Sequence, residues 1–212
     1  MIQLYSYFRS SAAYRVRIAL NLKGIKYEQL PINLVTNEQN SPEYLTVNPQ
    51  GLVPAIELED GTTITQSTAI LEWVDEKYPE PPLYPHAALL RAKARSLCNI
   101  IACDIHPLNN LRVLKYLSEE FNVSEDQKTT WYYHWISKGF SSLEESFSSG
   151  SFALGQNVSM VDVYLIPQVY NALRFKMDMT KYPNIIRIYH SCNELEAFVS
   201  AAPESQADST LG

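Results

Sequence analysis

The chain has 212 residues, 46% hydrophobic and 19% charged, the make-up of a globular protein of one or two domains. Its net charge of −6 argues against a reader of the phosphate backbone, and no apolar run approaches the ~20 residues of a membrane span, so neither nucleic acid nor membrane is an expected partner. Cys98, Cys103 and Cys192 make an odd count with no metal-ligand or C-x-x-C spacing, and Met1 to Tyr7 is strand-like rather than basic and apolar; no leader, reduced thiols, no metal and a cytoplasmic location are expected.

Ile2 to Tyr7 alternates like a first β-strand, with Leu4 on one face. Arg9 to Leu20 then reads R-S-S-A-A-Y-R-V-R-I-A-L. Ser10 and Ser11 stand where a helix N-cap belongs, and Ala12, Val16, Ala19 and Leu20 fall at helical spacing. Gly24 suits a C′ position with φ > 0. Tyr27 to Ile32 alternates as a second strand, and Pro42 to Leu45 makes a short helical piece after the polar stretch Asn33 to Ser41. The run N-P-Q-G-L-V-P-A-I from Asn48 to Ile56 enters a third strand through Val53-Pro54, a proline that must sit at an edge or in a special turn. Asp60-Gly61 turns the chain into a fourth strand at Thr62 to Thr65. The spacing of Ile70, Leu71 and Val74 predicts a helix over Ser67 to Lys77, with Ser67 as N-cap. This βαβ–αββα order fits a thioredoxin-like domain.

Tyr78 to Pro85 carries four prolines in eight residues, which no helix or central strand survives. The expected division is therefore an α/β domain at 1–80, a linker at 81–86 and an all-α domain at 87–212. In the latter, Leu89, Ala92, Leu97, Ile100 and Ile101 mark a long helix bent or broken at Pro107, resuming through Leu111, Leu114 and Leu117. Ser124 with Gln127 makes a capping box ahead of Trp131 to Phe147, and Ser159 with Asp162 repeats it before Val163 to Phe175. Asp162 is therefore expected to be structural. The N-V-S triplets at Asn122 and Asn157 are read as chance and helix capping rather than glycan sites. Tyr182 to Val199 gives the last helix or two, and the small polar tail from Ala202 is expected to fray.

The segment R-S-S-x-x-x-R-V-R-I-A-L closely resembles the signature of the zeta-class glutathione transferases, the maleylacetoacetate isomerases. So do N-P-Q-G-L-V-P-A, Q-S-T-A-I-L-E-W, C-D-I-H-P-L-N-N and P-Q-V-Y-N-A-L-R-F, in order along essentially the whole chain, the fourth in its bacterial form. The resemblance implies a thioredoxin-like domain followed by the helical domain of glutathione transferases, a homodimer, and glutathione as cofactor. It implies cis–trans isomerisation of an unsaturated diacid by addition of a thiolate, rotation and elimination. Maleylacetoacetate to fumarylacetoacetate, in phenylalanine and tyrosine catabolism, is the main reading, with glutathione transferase activity. Maleylpyruvate isomerisation and general conjugation of electrophiles stay open. Ala12 replaces the family's cysteine, which argues against thiol-exchange chemistry at this site.

A free thiol ionises near pH 8.5, and making it mostly thiolate at pH 7 takes about 2.7 kcal/mol. A helix N-terminus supplies about 0.3–1 kcal/mol and a hydrogen bond to a charged group about 1.5–3 kcal/mol, so a directed hydroxyl is required. The family motif makes Ser10 the first choice and Ser11 the second. The resemblance further implies that the backbone beside a cis Val53-Pro54 bond pairs with glutathione, within the motif that carries Gln50. Gln66 and Ser67 would grip its γ-glutamyl end, with His106 and Asn110 also against it. Diacid carboxylates call for the planar fork of arginine, for which Arg9, Arg112 and Arg174 lie in or beside the matching motifs. Arg15 and Arg17 are read as a solvated helix face, or as ties from the first helix to its neighbours.

Overall fold

The computed structural model describes residues 1–147 and 149–210. They divide into two compact units, one of residues 1–83 with the segment from Asn193 onward, the other Tyr84–Cys192.

The first unit runs β1 (Ile2–Ser6), α1 (Ser11–Leu22), β2 (Tyr27–Pro31), α2 (Pro42–Val47), β3 (Ala55–Glu57), β4 (Thr63–Thr65) and α3 (Ser67–Lys77). The sheet order is β2-β1-β3-β4. β1 pairs parallel with β2, a connection that needs a crossover element, and α1 is that element. β3 runs antiparallel to both β1 and β4, with Leu4 opposite Ile56 and both fully buried. Val16 and Leu20 of α1 and Ile70, Leu71 and Val74 of α3 complete this core. The β3–β4 turn forms as the Asp60-Gly61 pair predicts, with Gly61 at φ 81° and the Thr62 N–H donating to Asp60 Oδ1 at 2.9 Å.

Arg15 and Arg17 do not lie on a solvated face: they are 1% and 0% exposed. Arg17 is a tie. Its Nε donates to the Ala201 carbonyl at 2.9 Å, Nη1 to Ser6 Oγ and Nη2 to the Phe8 carbonyl, both at 3.0 Å. Burial lowers its pKa from the usual arginine value to about 10. The segment from Asn193, which the sequence reading groups with the helical domain, is thus bound to the first unit. α9 (Glu196–Val199) packs on α1, and Tyr14 donates to the Phe198 carbonyl at 3.4 Å. The tail is ordered rather than frayed through Thr210. Pro203–Ser205 forms a 3-10 turn, and Asp208 accepts from the Phe8 N–H at 3.0 Å and from Gln29 Nε2 at 3.2 Å. Residues 211 and 212 lie outside the described residues.

The second unit holds α4 (Ala88–Asn99), α5 (Leu111–Phe121), α6 (Glu125–Ser146), α7 (Met160–Arg174) and α8 (Pro183–Asn193). α4 passes into a π-helical turn, Ile100–Ile105, and the helix stops just before Pro107, as the proline requires. Gly139 of α6 admits this turn: a Cβ there would stand 2.3 Å from Ile105 Cδ1. Asn122 ends α5 in the left-handed region at φ 52°. Both capping boxes are formed, Ser124 with Gln127 and Ser159 with Asp162. Asp162 is fully buried and accepts from the Ala153 N–H, the Ser159 N–H and the Ser159 hydroxyl at 2.7–2.8 Å. Burial nonetheless raises its pKa, and Cys192 Sγ, 3.8 Å from Asp162 Oδ1, is pushed strongly upward for the same reason. No helix among the described residues is long and apolar enough to cross a membrane.

Candidate active site

α1 opens on Ser10. Its backbone is extended, and its Oγ accepts the Ala13 N–H at 3.2 Å. Accepting uses a lone pair and leaves the hydroxyl proton to donate outward. Ser11 is the first helical residue and only 5% exposed, whereas Ser10 is half-buried. No acidic residue sits in the first turn, so the positive end of the helix dipole is not neutralised from within. The turn leading into Ser10 is fixed by Asp208 on the Phe8 N–H and by Arg17 on the Phe8 carbonyl. Arg9 in that turn lies with its Cζ 4.9 Å from the Phe8 ring centroid and donates to Thr210 Oγ1 at 3.5 Å.

The second element is the loop between α2 and β3. Asn48, 1% exposed, donates from Nδ2 to the Leu52 carbonyl at 2.7 Å and accepts the Gln50 N–H at 3.1 Å. The Tyr44 hydroxyl donates to the same carbonyl at 2.6 Å. Gly51 adopts φ 61°, and a Cβ there would meet Asn40 Oδ1 at 2.7 Å, so the loop admits no other residue cheaply. The Val53-Pro54 bond is cis, and β3 begins only at Ala55, which leaves the Val53 amide outside the ladder.

Gln66 rather than Ser67 occupies the N-cap of α3, at φ 68° and ψ 116°. A non-glycine residue held there is strained by about 1–3 kcal/mol, and such residues cluster at ligand sites. Its Nε2 donates to Gln50 Oε1 at 2.6 Å, which joins the two motifs. Ser67 is buried and accepts from Arg15 Nη1 at 3.4 Å. The first turn of α3 also lacks an acid.

The second unit carries the other expected residues. His106 caps the π-helical turn, its N–H donating to the Ile101 carbonyl at 2.9 Å. Asn110 caps α5 by accepting the Arg112 N–H at 3.1 Å, and its amide protons remain to donate. Arg112 is exposed in the first turn of α5, and Arg174 is exposed at the end of α7.

Sequence reasoning missed the neighbours of Arg174. Its Cζ lies 4.4 Å from the Phe175 ring centroid, and the Tyr132 ring lies 4.2 Å from that centroid at a tilt of 32°. The Phe175 carbonyl accepts from the Tyr133 hydroxyl at 2.5 Å. Tyr132 and Phe175 also line a groove of about 310 Å³ along α5 and α6. The aromatic content of Trp131 to Phe147 was visible in the sequence; its pairing with a residue more than 40 positions away was not.

A family model described as glutathione S-transferase, N-terminal domain, matches residues 4–82. The chain is 46% identical, over 97% of its own length and 97% of the relative's, to a probable maleylacetoacetate isomerase of Vibrio cholerae. A holo structure of a maleyl pyruvate isomerase, described as a bacterial glutathione transferase of the zeta class, superposes with a TM-score of 0.95 at 42% identity, covering 98% of this chain and 100% of that one. A maleylacetoacetate isomerase from Methylobacterium extorquens with bound malonate and glutathione superposes with a TM-score of 0.92 at 38% identity, covering 96% and 97%.

Proposed function

This chain belongs to the zeta class of glutathione transferases, and from that premise we propose that it is a glutathione-dependent isomerase converting maleylacetoacetate to fumarylacetoacetate. The observation that carries the reading is the start of α1, with two hydroxyls, an acid-free first turn and, at Ala12, no side-chain thiol. A site with no nucleophile of its own must borrow one. Bound glutathione supplies a thiolate that adds to the double bond and leaves once the bond has rotated.

The chain's residues hold and ionise that thiol and place the diacid. Ser10 directs its hydroxyl proton at the sulfur, a role that its partial exposure favours over the buried Ser11. The Val53 amide beside Pro54 pairs with the cofactor backbone, and Gln66, Ser67 and Gln50 receive the γ-glutamyl end at the acid-free start of α3. His106 and Asn110 are carried over from the family motif as further donors toward glutathione, Asn110 through its amide. Arg9, Arg112 and Arg174 take the substrate carboxylates, and the malonate held by a relative supports a dicarboxylate ligand. A net charge of −6 repels a dianion at long range, so these local arginines must overcome the background.

The protein is a cytoplasmic homodimer in this reading. A light-scattering mass near the 24.1 kDa of one chain at micromolar concentration would contradict the dimer.

The direct test offers maleylacetoacetate and maleylpyruvate to dialysed enzyme with and without glutathione. Isomerisation of maleylacetoacetate only when glutathione is present is expected. Turnover without any thiol overturns the mechanism. Faster turnover of maleylpyruvate reassigns the substrate, and conjugation without isomerisation makes the protein a general transferase.

A further inference from the structure

Arg174 ends α7, where a basic side chain is favoured by the helix dipole alone. That bland role asks nothing of the neighbours, yet the neighbours are highly organised. The Phe175 ring has the Arg174 guanidinium at 4.4 Å and the Tyr132 ring at 4.2 Å. The phenyl ring is thus in contact with both groups. Tyr132 is 3% exposed, and its carbonyl accepts from Asn109 Nδ2 at 3.1 Å, fixing the base of the stack to the turn before α5. Tyr133 fixes the top of the same segment through the Phe175 carbonyl. The charge of Arg174 also reaches the Tyr132 phenol, opposing the rise in its pKa that burial causes.

We infer that Tyr132 and Phe175 form a platform that holds the Arg174 guanidinium in the orientation that receives a substrate carboxylate, an inference that rests on the function proposed above. Phe175 is then a positioning residue. It acts on the diacid only through Arg174, by reducing the freedom of a long, exposed side chain before binding. A guanidinium over an aromatic face is planar and fixed, which suits a two-pronged contact with a carboxylate.

The test is Phe175→Leu, which keeps apolar bulk and removes the π face, with Phe175→Trp as the restoring variant. Arg174→Ala is measured alongside. For Phe175→Leu, KM for maleylacetoacetate is expected to rise about three- to thirtyfold while kcat changes little. Efficiency toward a neutral electrophile such as a halodinitrobenzene is expected to fall far less. Phe175→Trp is expected to keep the parent KM for the diacid. An unchanged diacid KM in Phe175→Leu, or equal losses on both electrophiles, overturns the platform. If Phe175→Leu does not fold, Phe175→Trp decides: a raised diacid KM in that variant overturns the inference. Should Arg174→Ala show no diacid-selective loss, the function of Arg174 fails and the platform with it. A selective loss in Arg174→Ala beside an unaffected Phe175→Leu removes the platform alone.

Discussion

Gln66 reaches across to Gln50, donating from Nε2 to Oε1 at 2.6 Å, while its own backbone sits at φ 68°. The contact joins the start of α3 to the loop ahead of β3, so two motifs 16 residues apart act as one edge of the site. It also couples a strained conformation to the binding role proposed for both side chains.

Gln66→Gly should separate the two. Relief of about 1–3 kcal/mol of backbone strain exceeds the roughly 0.5–1 kcal/mol entropic cost of glycine, so the variant should be about 1 kcal/mol more stable. Loss of the side chain should raise KM for glutathione about tenfold. Urea unfolding and initial rates read the two effects. A variant less stable than the parent would show that the strain is smaller than the glycine entropy and the lost Gln50 hydrogen bond together.

Ser10→Ala should raise the pKa of enzyme-bound glutathione by about one to two units, since a hydrogen bond to the thiolate is worth about 1.5–3 kcal/mol. Ser11→Ala should do less, because that side chain is turned into the fold. Ser10→Ala also loses the cap on Ala13, at about 1 kcal/mol of stability. Ultraviolet titration of the bound thiol ranks the two serines, and a larger shift from Ser11→Ala would reverse their roles.

Arg17→Met would strand three acceptors, Ser6 Oγ and the carbonyls of Phe8 and Ala201. Each buried orphan costs about 1–3 kcal/mol, so a loss of at least ~3 kcal/mol is expected in urea unfolding. A loss below 1 kcal/mol would mean the three bonds add little beyond the cost of burying the charge.

Asp162→Ala removes the acceptor for the Ala153 and Ser159 N–H groups, the Ser159 hydroxyl and the weaker Cys192 thiol, and should cost a similar ~3 kcal/mol. Activity per folded molecule should be unchanged, because the residue lies in the capping box of α7. An active-site titration showing fewer turnovers per folded site would contradict the structural role.

Asp60 accepts the Thr62 N–H, which holds its carboxyl below the usual carboxylate range. The unfolded chain therefore takes up this proton at a higher pH than the fold does. The contribution is present above the unfolded pKa, near pH 4, and is lost as pH falls through the folded value. Asp60→Asn keeps an acceptor but cannot titrate, so stability should depend less on pH below 4 and stay nearly unchanged at pH 7. An acid-unfolding curve that keeps its parental slope would exclude the turn carboxylate as a source of that dependence.

The parts of the fold that the sequence displayed are those written within a few residues. Ser124 with Gln127 and Ser159 with Asp162 each satisfy helix-start donors three positions away, so their pattern is complete locally. The same holds for the Asp60-Gly61 turn. The N-cap of α3 falls at Gln66, one residue before the expected Ser67; glutamine is not a preferred capping residue, so the local pattern points to the serine. The destinations of Arg15 and Arg17 had no local signature, since an arginine on an amphipathic helix looks the same whether water or a buried carbonyl awaits it. Asp208 on Phe8, Thr210 beside Arg9 and Phe175 on Tyr132 were invisible for the same reason: the partner is far away in the chain.

The bond from Arg17 to the Ala201 carbonyl sets an order on the birth of the protein. The two partners are 184 residues apart, so at about 5–20 residues per second the acceptor is made roughly 10–40 s after the donor. Throughout that interval the helical unit is being translated while the first unit holds a guanidinium short of one acceptor. The domain that begins first is therefore completed after its successor has been made. A chain stalled short of residue 201 carries an unfinished first domain, open at α1 to whatever surveys nascent protein.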